Sequence, residues 1–270
     1  MRRLKVGVIG AGGIAQIEHI PNLLRLKRQF EILGVFDPSA TVRNFIATHY
    51  ELATFDDLET LFALKLDAVF ITSPDPLHFE QILAAFSRGF HVFCEKPLCY
   101  ASADIQAVIG ARDKAAKVLQ VGYMKRFDPS YEAATARMPG SAKTLRYVSV
   151  EVNDPDAWPF IQHHNWIRGE DVPPDLIATA QEKQRQQIAR AVKTPLDAVS
   201  LRGFAGAYSS ALVHDVNAVH GLLDALGVPP GEIVGAHLFA GGDGGQGAVR
   251  LLLWPRRALL PSRSQPEGWR

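Results

Sequence analysis

The chain has little cysteine, no excess charge of either sign and no long apolar run, and each shortage removes a class of protein. Its two cysteines, Cys94 and Cys99, stand five positions apart around Glu-Lys-Pro. One pair cannot staple a small secreted scaffold, and no second ligand pair stands nearby to complete a zinc site, so no metal is expected. Cys94 is expected as a small buried hydrophobe in a strand, a usage that suits a reducing, cytoplasmic setting. Lysine and arginine number 29 against 28 aspartates and glutamates, a formal net charge of +1. The basic excess of a general nucleic-acid binder is therefore missing. No apolar stretch approaches the roughly 20 residues of a membrane span, and in MRRLKVGVIG glycine interrupts the apolar segment at once, as in a first strand rather than a signal peptide. No internal repeat or long low-complexity tract appears. What remains is a globular composition, 47% hydrophobic and 21% charged over 270 residues, enough for two domains at about 150 residues each.

What is present is a strict alternation. LKVGVIG (Leu4–Gly10), EILGVFD (Glu31–Asp37), DAVFITS (Asp67–Ser73), HVFCE (His91–Glu95) and KVLQVGY (Lys117–Tyr123) read as strands. Amphipathic segments of helical length separate them. Buried-type strands between helices imply right-handed βαβ units and a parallel sheet. Pro21 sits awkwardly in the first helical pattern and should bend it or start a second turn. After Tyr123 the pattern changes. KTLRYVSVEVND (Lys143–Asp154) alternates like a half-exposed strand, and residues 154–174 read as an irregular loop. Asp175–Lys193 and Ser209–Gly227 read as helices, the second ended by glycine. EIVGAHLFA and AVRLLLW are candidates for a hairpin across GGDGGQG. The expected fold class is α/β: an N-terminal doubly wound parallel sheet over residues 1–123 and a C-terminal α+β domain over 124–270. The second domain should carry an open, incomplete, mainly antiparallel sheet and a poorly packed tail from about residue 255 to 270.

In VGVIGAGGIAQ (Val6–Gln16), Gly10, Gly12 and Gly13 fall within four positions, with Ile14 and Ala15 following. A dinucleotide-binding turn gives them tasks. Gly10 permits the tight strand-to-helix turn, Gly12 lets backbone approach a pyrophosphate, and Ala15 stands in the third glycine's place for close helix–strand packing. The N–H groups at the helix start then face phosphate. Asp37 ends the second strand, 27 positions beyond Gly10. Its carboxylate can accept from adenosine ribose hydroxyls and would repel a 2′-phosphate, which favours NAD over NADP. Capping the helix after Pro38 is the alternative task for Asp37, and Arg43 is the nearby residue able to soften the NAD preference.

AVFITSPDPLHFEQILAAFSRGFHVFCEKPL, taken with the glycine turn, resembles the core of the glucose–fructose oxidoreductase and inositol dehydrogenase family, called Gfo/Idh/MocA. VGYMKRFDPSYEAA (Val121–Ala134) resembles it too, and the likeness resumes at HDVNAVHGLL. The resemblance implies a Rossmann domain followed by a shortened C-terminal domain, and an oxidoreductase acting on sugar, cyclitol or polyol CH–OH groups. It implies that Thr72, Ser73, Pro74 and His78 line a cofactor groove, that Glu95 reaches the ribose near the nicotinamide, and that Lys96 touches both cofactor and substrate hydroxyl. It also implies a cis Lys96–Pro97 peptide, and a homo-oligomer if the second domain's sheet is competent.

Many members of the family carry Asp-x-x-x-His on a second-domain helix. Here His214 matches the histidine, but Ser210 stands where the aspartate would. Serine can hydrogen-bond one turn away but cannot stabilise an imidazolium as a carboxylate would. His214 is thus either a base or a satisfied structural histidine. Tyr123, Arg126, Trp166 and Ser210 are the expected substrate contacts. HHNWIRG (His163–Gly169) suits carbohydrate, but equally suits a surface loop anchored by Trp166, and a third ligand for a metal is missing. Two other readings stay open: a dinucleotide-binding protein without turnover, and a lyase or glycosidase that uses NAD transiently.

Overall fold

In the computed structural model, residues 2–138, 148, 150, 158–193, 196–228, 232–233 and 253–254 are described. They fall into two compact units, residues 1–123 with 154–196, and residues 124–153 with 197–270.

The five apolar runs become β1 (Leu4–Ile9), β2 (Phe30–Phe36), β4 (Ala68–Ile71), β5 (His91–Cys94) and β6 (Leu119–Val121), and a two-residue strand that the runs did not show, β3 (Thr54–Phe55), joins them. They lie in the order β3-β2-β1-β4-β5-β6, every neighbouring pair parallel. A parallel sheet must be covered on both faces, which is why Val6, Val8 and Ile9 of β1 and Ala68, Val69 and Ile71 of β4 are all buried. One cluster packs Val6, Val8, Ala15, Ile20, Leu23, Val35, Val42 and Ile46; the other packs Ile9, Leu61, Val69, Ile71, Ile82, Phe86, Val92, Cys94 and Val108. Cys94 is fully buried in β5, as expected, and burial holds its thiol well above the usual value.

The covering helices begin where side chains satisfy their free N–H groups. Ser39 caps α2 (Ala40–His49), its Oγ accepting the Val42 N–H at 3.0 Å, and Asp57 caps α3 (Leu58–Phe62) through the Thr60 N–H at 2.8 Å. Pro21 does start a second turn. Residues Ala15–His19 form a π-helical turn, and α1 (Ile20–Arg25) begins there with Pro21 in its first turn, where a missing N–H costs nothing. α4 (His78–Ser87) and α5 (Ser102–Ala115) complete the layers.

Residues 154–196 group with the first unit although the boundary was expected at Tyr123. Their described part holds α7 (Trp158–Ile161), an irregular stretch, and α8 (Pro174–Val192), which starts on Pro174 and stops at Lys193 with φ 59°. α8 docks by Ile188, fully buried, and Gln187, whose Nε2 donates to the Pro76 carbonyl at 2.9 Å. Gln184 donates to the Tyr100 hydroxyl at 2.9 Å, and Arg190 pairs with Asp104 at 3.2 Å. These partners lie 84 to 111 positions apart, so local patterning could not show them.

In the second unit a 3₁₀ turn (Met124–Phe127) precedes α6 (Pro129–Ala136). α9 (Ala198–Gly203) passes through a π-helical run (Phe204–Leu212) into α10 (Val213–Ala225), and Gly227 follows at φ +66°. Lys125 pairs with Asp215 at 2.6 Å, and the Tyr131 hydroxyl donates to the Ala218 carbonyl at 2.8 Å. Gly221 permits this approach: a Cβ there would stand 2.3 Å from the Tyr131 hydroxyl oxygen. β7 (Glu232–Ile233) and β8 (Leu253–Trp254) pair antiparallel, within the two segments expected to form a hairpin. Nearly all of the strand expected over 143–154, the rest of the hairpin and the tail over 255–270 lie outside the described residues. No helix among the described residues is long and apolar enough to cross a membrane.

If α8 is an integral layer of the first unit, Ile188→Ala should cost about 2–5 kcal/mol, as for other large-to-small core changes. Urea unfolding of the intact chain measures this; a loss below about 1 kcal/mol would mean that α8 rests loosely on its neighbours.

Candidate functional site

The strand order reverses between β1 and β4, and in open α/β sheets ligands bind at the strand carboxyl ends beside such a switch point. Gly10 leaves β1 with φ +88°, and a Cβ there would stand 2.7 Å from both Cα and N of Ser73. Glycine is thus required by contact with the β4 loop as well as by the turn. The Thr72 hydroxyl closes that contact from the other side, donating to the Gly10 carbonyl at 2.5 Å. At Gly12 an added Cβ would meet nothing within 4 Å. Open space beside a peptide at the start of a helix is what a pyrophosphate needs. Ala15 is fully buried and Ile14 is exposed.

Asp37, just beyond β2, is buried. Its Oδ2 accepts the Ala11 N–H at 2.8 Å and its Oδ1 the Ser39 N–H at 2.9 Å. Burial raises its pKa above the ordinary value, against the opposing pull of those N–H groups and of Arg43. Because Ser39 is the cap of α2, Asp37 is not used as one. Each of its oxygens keeps a second lone pair. Arg43 turns its guanidinium to the carbonyls of Asp37 and Pro38, at 2.8 and 3.0 Å.

After β4, Ser73 donates to Gln81 Oε1 at 2.5 Å, and Pro74 leads into a short 3₁₀ turn. His78 is fully buried, with Nδ1 2.9 Å from the Pro97 carbonyl oxygen and Nε2 2.9 Å from that of Ser73. It therefore brackets the loops of β4 and β5 rather than facing solvent. Beyond β5, the Lys96–Pro97 peptide is cis, as expected. Glu95 Oε1 lies 2.8 Å from His19 Nε2, while Oε2 accepts the Lys96 N–H at 3.1 Å. The His19 ring packs edge-on against Phe93 at 5.1 Å. Gly122 makes room: a Cβ would come within 2.9 Å of Glu95 Oε1. Burial pushes Glu95 up, but the His19 contact and the Lys96 N–H bring it below its ordinary value.

Trp166 stands beside the glycine turn. A Cβ on Gly13 would lie 3.5 Å from its ring, and the Arg168 guanidinium is 5.7 Å from the ring centre. The buried Gln16 ties this stretch down: its Nε2 donates to the carbonyls of Ala11 and Ile167, and its Oε1 accepts the Ile167 N–H. Tyr123 closes the N-terminal stretch of the first unit, its phenol pushed up by burial. In the second unit, His214 is buried in α10, Ser210 is exposed four positions earlier in the π-helical run, and Arg126 lies 3.6 Å from Asp224.

The first unit thus gathers Gly10, Gly12, Asp37, Thr72, Ser73, His78, Glu95 and Lys96 at the carboxyl ends of its strands, while Arg126, Ser210 and His214 belong to the second unit. Sequence reasoning missed His19 and Gln16. The signal for His19 was its place four residues after Ala15, on a buried helical face. The chemistry present fits a dinucleotide: a glycine turn at a helix start with open space beside Gly12, then carboxylates at the ends of β2 and β5 with lone pairs for ribose hydroxyls.

A family model described as an oxidoreductase family with an NAD-binding Rossmann fold, GFO_IDH_MocA, matches residues 4–123. Inositol 2-dehydrogenase 3 of Saccharopolyspora erythraea is 37% identical over 130 residues, 47% of this chain and 38% of that protein. Inositol 2-dehydrogenase of Klebsiella pneumoniae is 37% identical over 134 residues, 48% of this chain and 40% of that protein. Among solved structures, apo scyllo-inositol dehydrogenase from Lactobacillus casei aligns with a TM-score of 0.47 at 28% identity, covering 50% of this chain and 40% of that one. The chain spans less than half the length of each of these relatives.

Two glycines two positions apart should separate stability from binding. Gly10→Ala should lose about 1–3 kcal/mol of stability from its left-handed φ and its backbone clash, whereas Gly12→Ala should melt like wild type and bind NADH more weakly. Thermal melts and nucleotide fluorescence titrations read the two effects, and equal melting of both variants would count against the geometry. A second expectation concerns the Glu95 carboxyl. Its lowered pKa means a stabilising contribution fully present above the ordinary glutamate value and lost as pH falls through the lowered one. The stability advantage of wild type over Glu95→Gln, followed by denaturation from pH 7 to pH 3, should shrink below about pH 4.5; an advantage constant across that range would refute the His19 pairing as its cause.

Proposed function

We propose, from the membership of residues 4–123 in the Gfo/Idh/MocA oxidoreductase family, that this chain is an NAD-dependent oxidoreductase of CH–OH groups on a cyclitol, sugar or related polyol. The observation that carries the reading is the set of groups at the strand ends, with the open turn at Gly12, the paired carboxylate of Asp37, and Glu95 and Lys96 on the cis-proline bend. The inositol 2-dehydrogenases among its relatives favour a cyclitol as substrate.

In this reading the glycine turn offers N–H groups to the pyrophosphate and Asp37 accepts from the adenosine ribose, so NAD is preferred to NADP. Glu95, held by His19 and the Lys96 N–H, accepts from the ribose next to the nicotinamide. When bound, the nicotinamide supplies hydride exchange with the carbinol carbon. Lys96 or His214 takes the hydroxyl proton, and Tyr123, Arg126, Trp166 and Ser210 are the candidate substrate contacts. A second reading, dinucleotide binding without turnover, is favoured by Ser210, because a serine offers His214 no counter-charge.

A panel of inositols, polyols and uronic acids assayed for NADH formation decides between the two. Turnover with at least one cyclitol or polyol is expected. Lys96→Met should lower it about a hundredfold to ten-thousandfold, the usual worth of general acid–base help, with NADH affinity kept within about threefold. NADH binding without turnover across the panel would favour the second reading, and turnover unchanged in both Lys96→Met and His214→Ala would remove the assigned roles.

A further inference from the structure

We propose that Asp171 is a specificity residue that reserves the cofactor site for NAD, because its carboxylate is seated at the start of α2, beside Asp37, where the 2′-phosphate of an NADP-type dinucleotide would have to lie. The inference rests on the dinucleotide reading above and goes beyond it, since Asp171 lies far along the chain from the turn and from β2.

The N-terminus of α2 has the makings of an anion site. The Thr41 N–H and the Ser39 hydroxyl point outward from it, the helix dipole favours negative charge there, and Arg43 follows one turn later. The chain fills that place itself. The Ser39 hydroxyl donates to Asp171 Oδ1, and the Thr41 N–H donates to Oδ2 at 3.0 Å. The one donor of Ser39 is then used, and its oxygen also accepts the Val42 N–H. Those two donors hold the Asp171 carboxyl down to about 2, so it is charged throughout the neutral range.

The seat is built rather than incidental. Gln16 grips both the N–H and the carbonyl of Ile167. Gly169 presses against the start of α2, so closely that a Cβ would stand 2.6 Å from the Ser39 Cβ. Two residues further on, Asp171 reaches Ser39 and Thr41. An arriving 2′-phosphate would meet two carboxylates, Asp37 and Asp171, and would find both outward donors already taken. Arg43, the cation that could offset this, is turned to the carbonyls of Asp37 and Pro38. A ribose 2′-hydroxyl carries no charge and escapes the repulsion. Like charges placed together cost enough to exclude a ligand even where shape would admit it.

The test is equilibrium titration of the full chain with NADH and with NADPH, read by nicotinamide fluorescence without substrate, for wild type, Asp171→Ala, Asp171→Asn and Asp171→Glu. Wild type should bind NADH more tightly than NADPH. Asp171→Ala and Asp171→Asn should tighten NADPH binding about tenfold or more while NADH changes less than about threefold, and Asp171→Glu should stay close to wild type because the charge is kept. Asn retains the shape and an acceptor for Thr41, so it guards against a variant that merely loosens α2, and thermal melts confirm that each variant is folded. NADPH affinity unmoved in Asp171→Ala and Asp171→Asn, with NADH binding intact, would overturn the assignment to Asp171 while leaving the dinucleotide site standing. A wild type that binds neither nucleotide would overturn the dinucleotide reading, and this inference with it.

Discussion

The contact between the backbone of Gly10 and that of Ser73 is what the candidate site depends on. Two loops leave neighbouring parallel strands at the place where the strand order reverses, and they would be free to splay. Instead they touch so closely that any Cβ at Gly10 would collide with peptide atoms of the β4 loop. The Thr72 hydroxyl then ties the two together through the Gly10 carbonyl. Backbone against backbone has little room to give, so the arrangement of the two loops is set by close packing.

Around that contact polar side chains are held in place by hydrogen bonds from more than one element. His78 spans the carbonyls of Ser73 and Pro97, Gln16 spans Ala11 and Ile167, and Glu95 is held between His19 and the Lys96 N–H. Burying such groups is costly unless their hydrogen bonds are made. Once made, the bonds hold neighbouring loops in one arrangement before any ligand arrives. The fold therefore spends its buried polar residues on the strand ends, where ligand chemistry is placed in open α/β sheets. Asp37 belongs to the same economy: its carboxylate is steadied by two backbone donors and still presents unused lone pairs.

The stretch over residues 158–193 extends this organisation from far along the chain. α8 covers the first unit through Ile188 and Gln187, while Trp166, Ile167 and Asp171 lie along the glycine turn and the start of α2. A segment that reads as loop and polar helix thus becomes part of the wall beside the glycine turn and the start of α2. Its aromatic and acidic residues acquire meaning from what they lie against, not from their own neighbours in sequence.

Much was legible in the amino-acid order alone. The five runs of Val, Ile and Phe separated by helical segments determined a parallel sheet, because only strands covered on both faces are apolar throughout. The spacing of Gly10, Gly12 and Ala15, with Asp37 ending the second strand, determined the turn and its chemistry, since these demands are local to a strand, a bend and a helix start. The cis Lys96–Pro97 peptide was expected from the family resemblance of its surrounding segment, not from local chemistry. What tertiary structure decided were the pairings across long separations: His19 with Glu95 over 76 positions, Gln16 with Ile167 over 151, and Ser39 with Asp171 over 132. A periodic pattern reports which face of an element is buried. It carries no record of which distant side chain will be pressed against that face, because that is fixed only when strand order and packing bring the segments together.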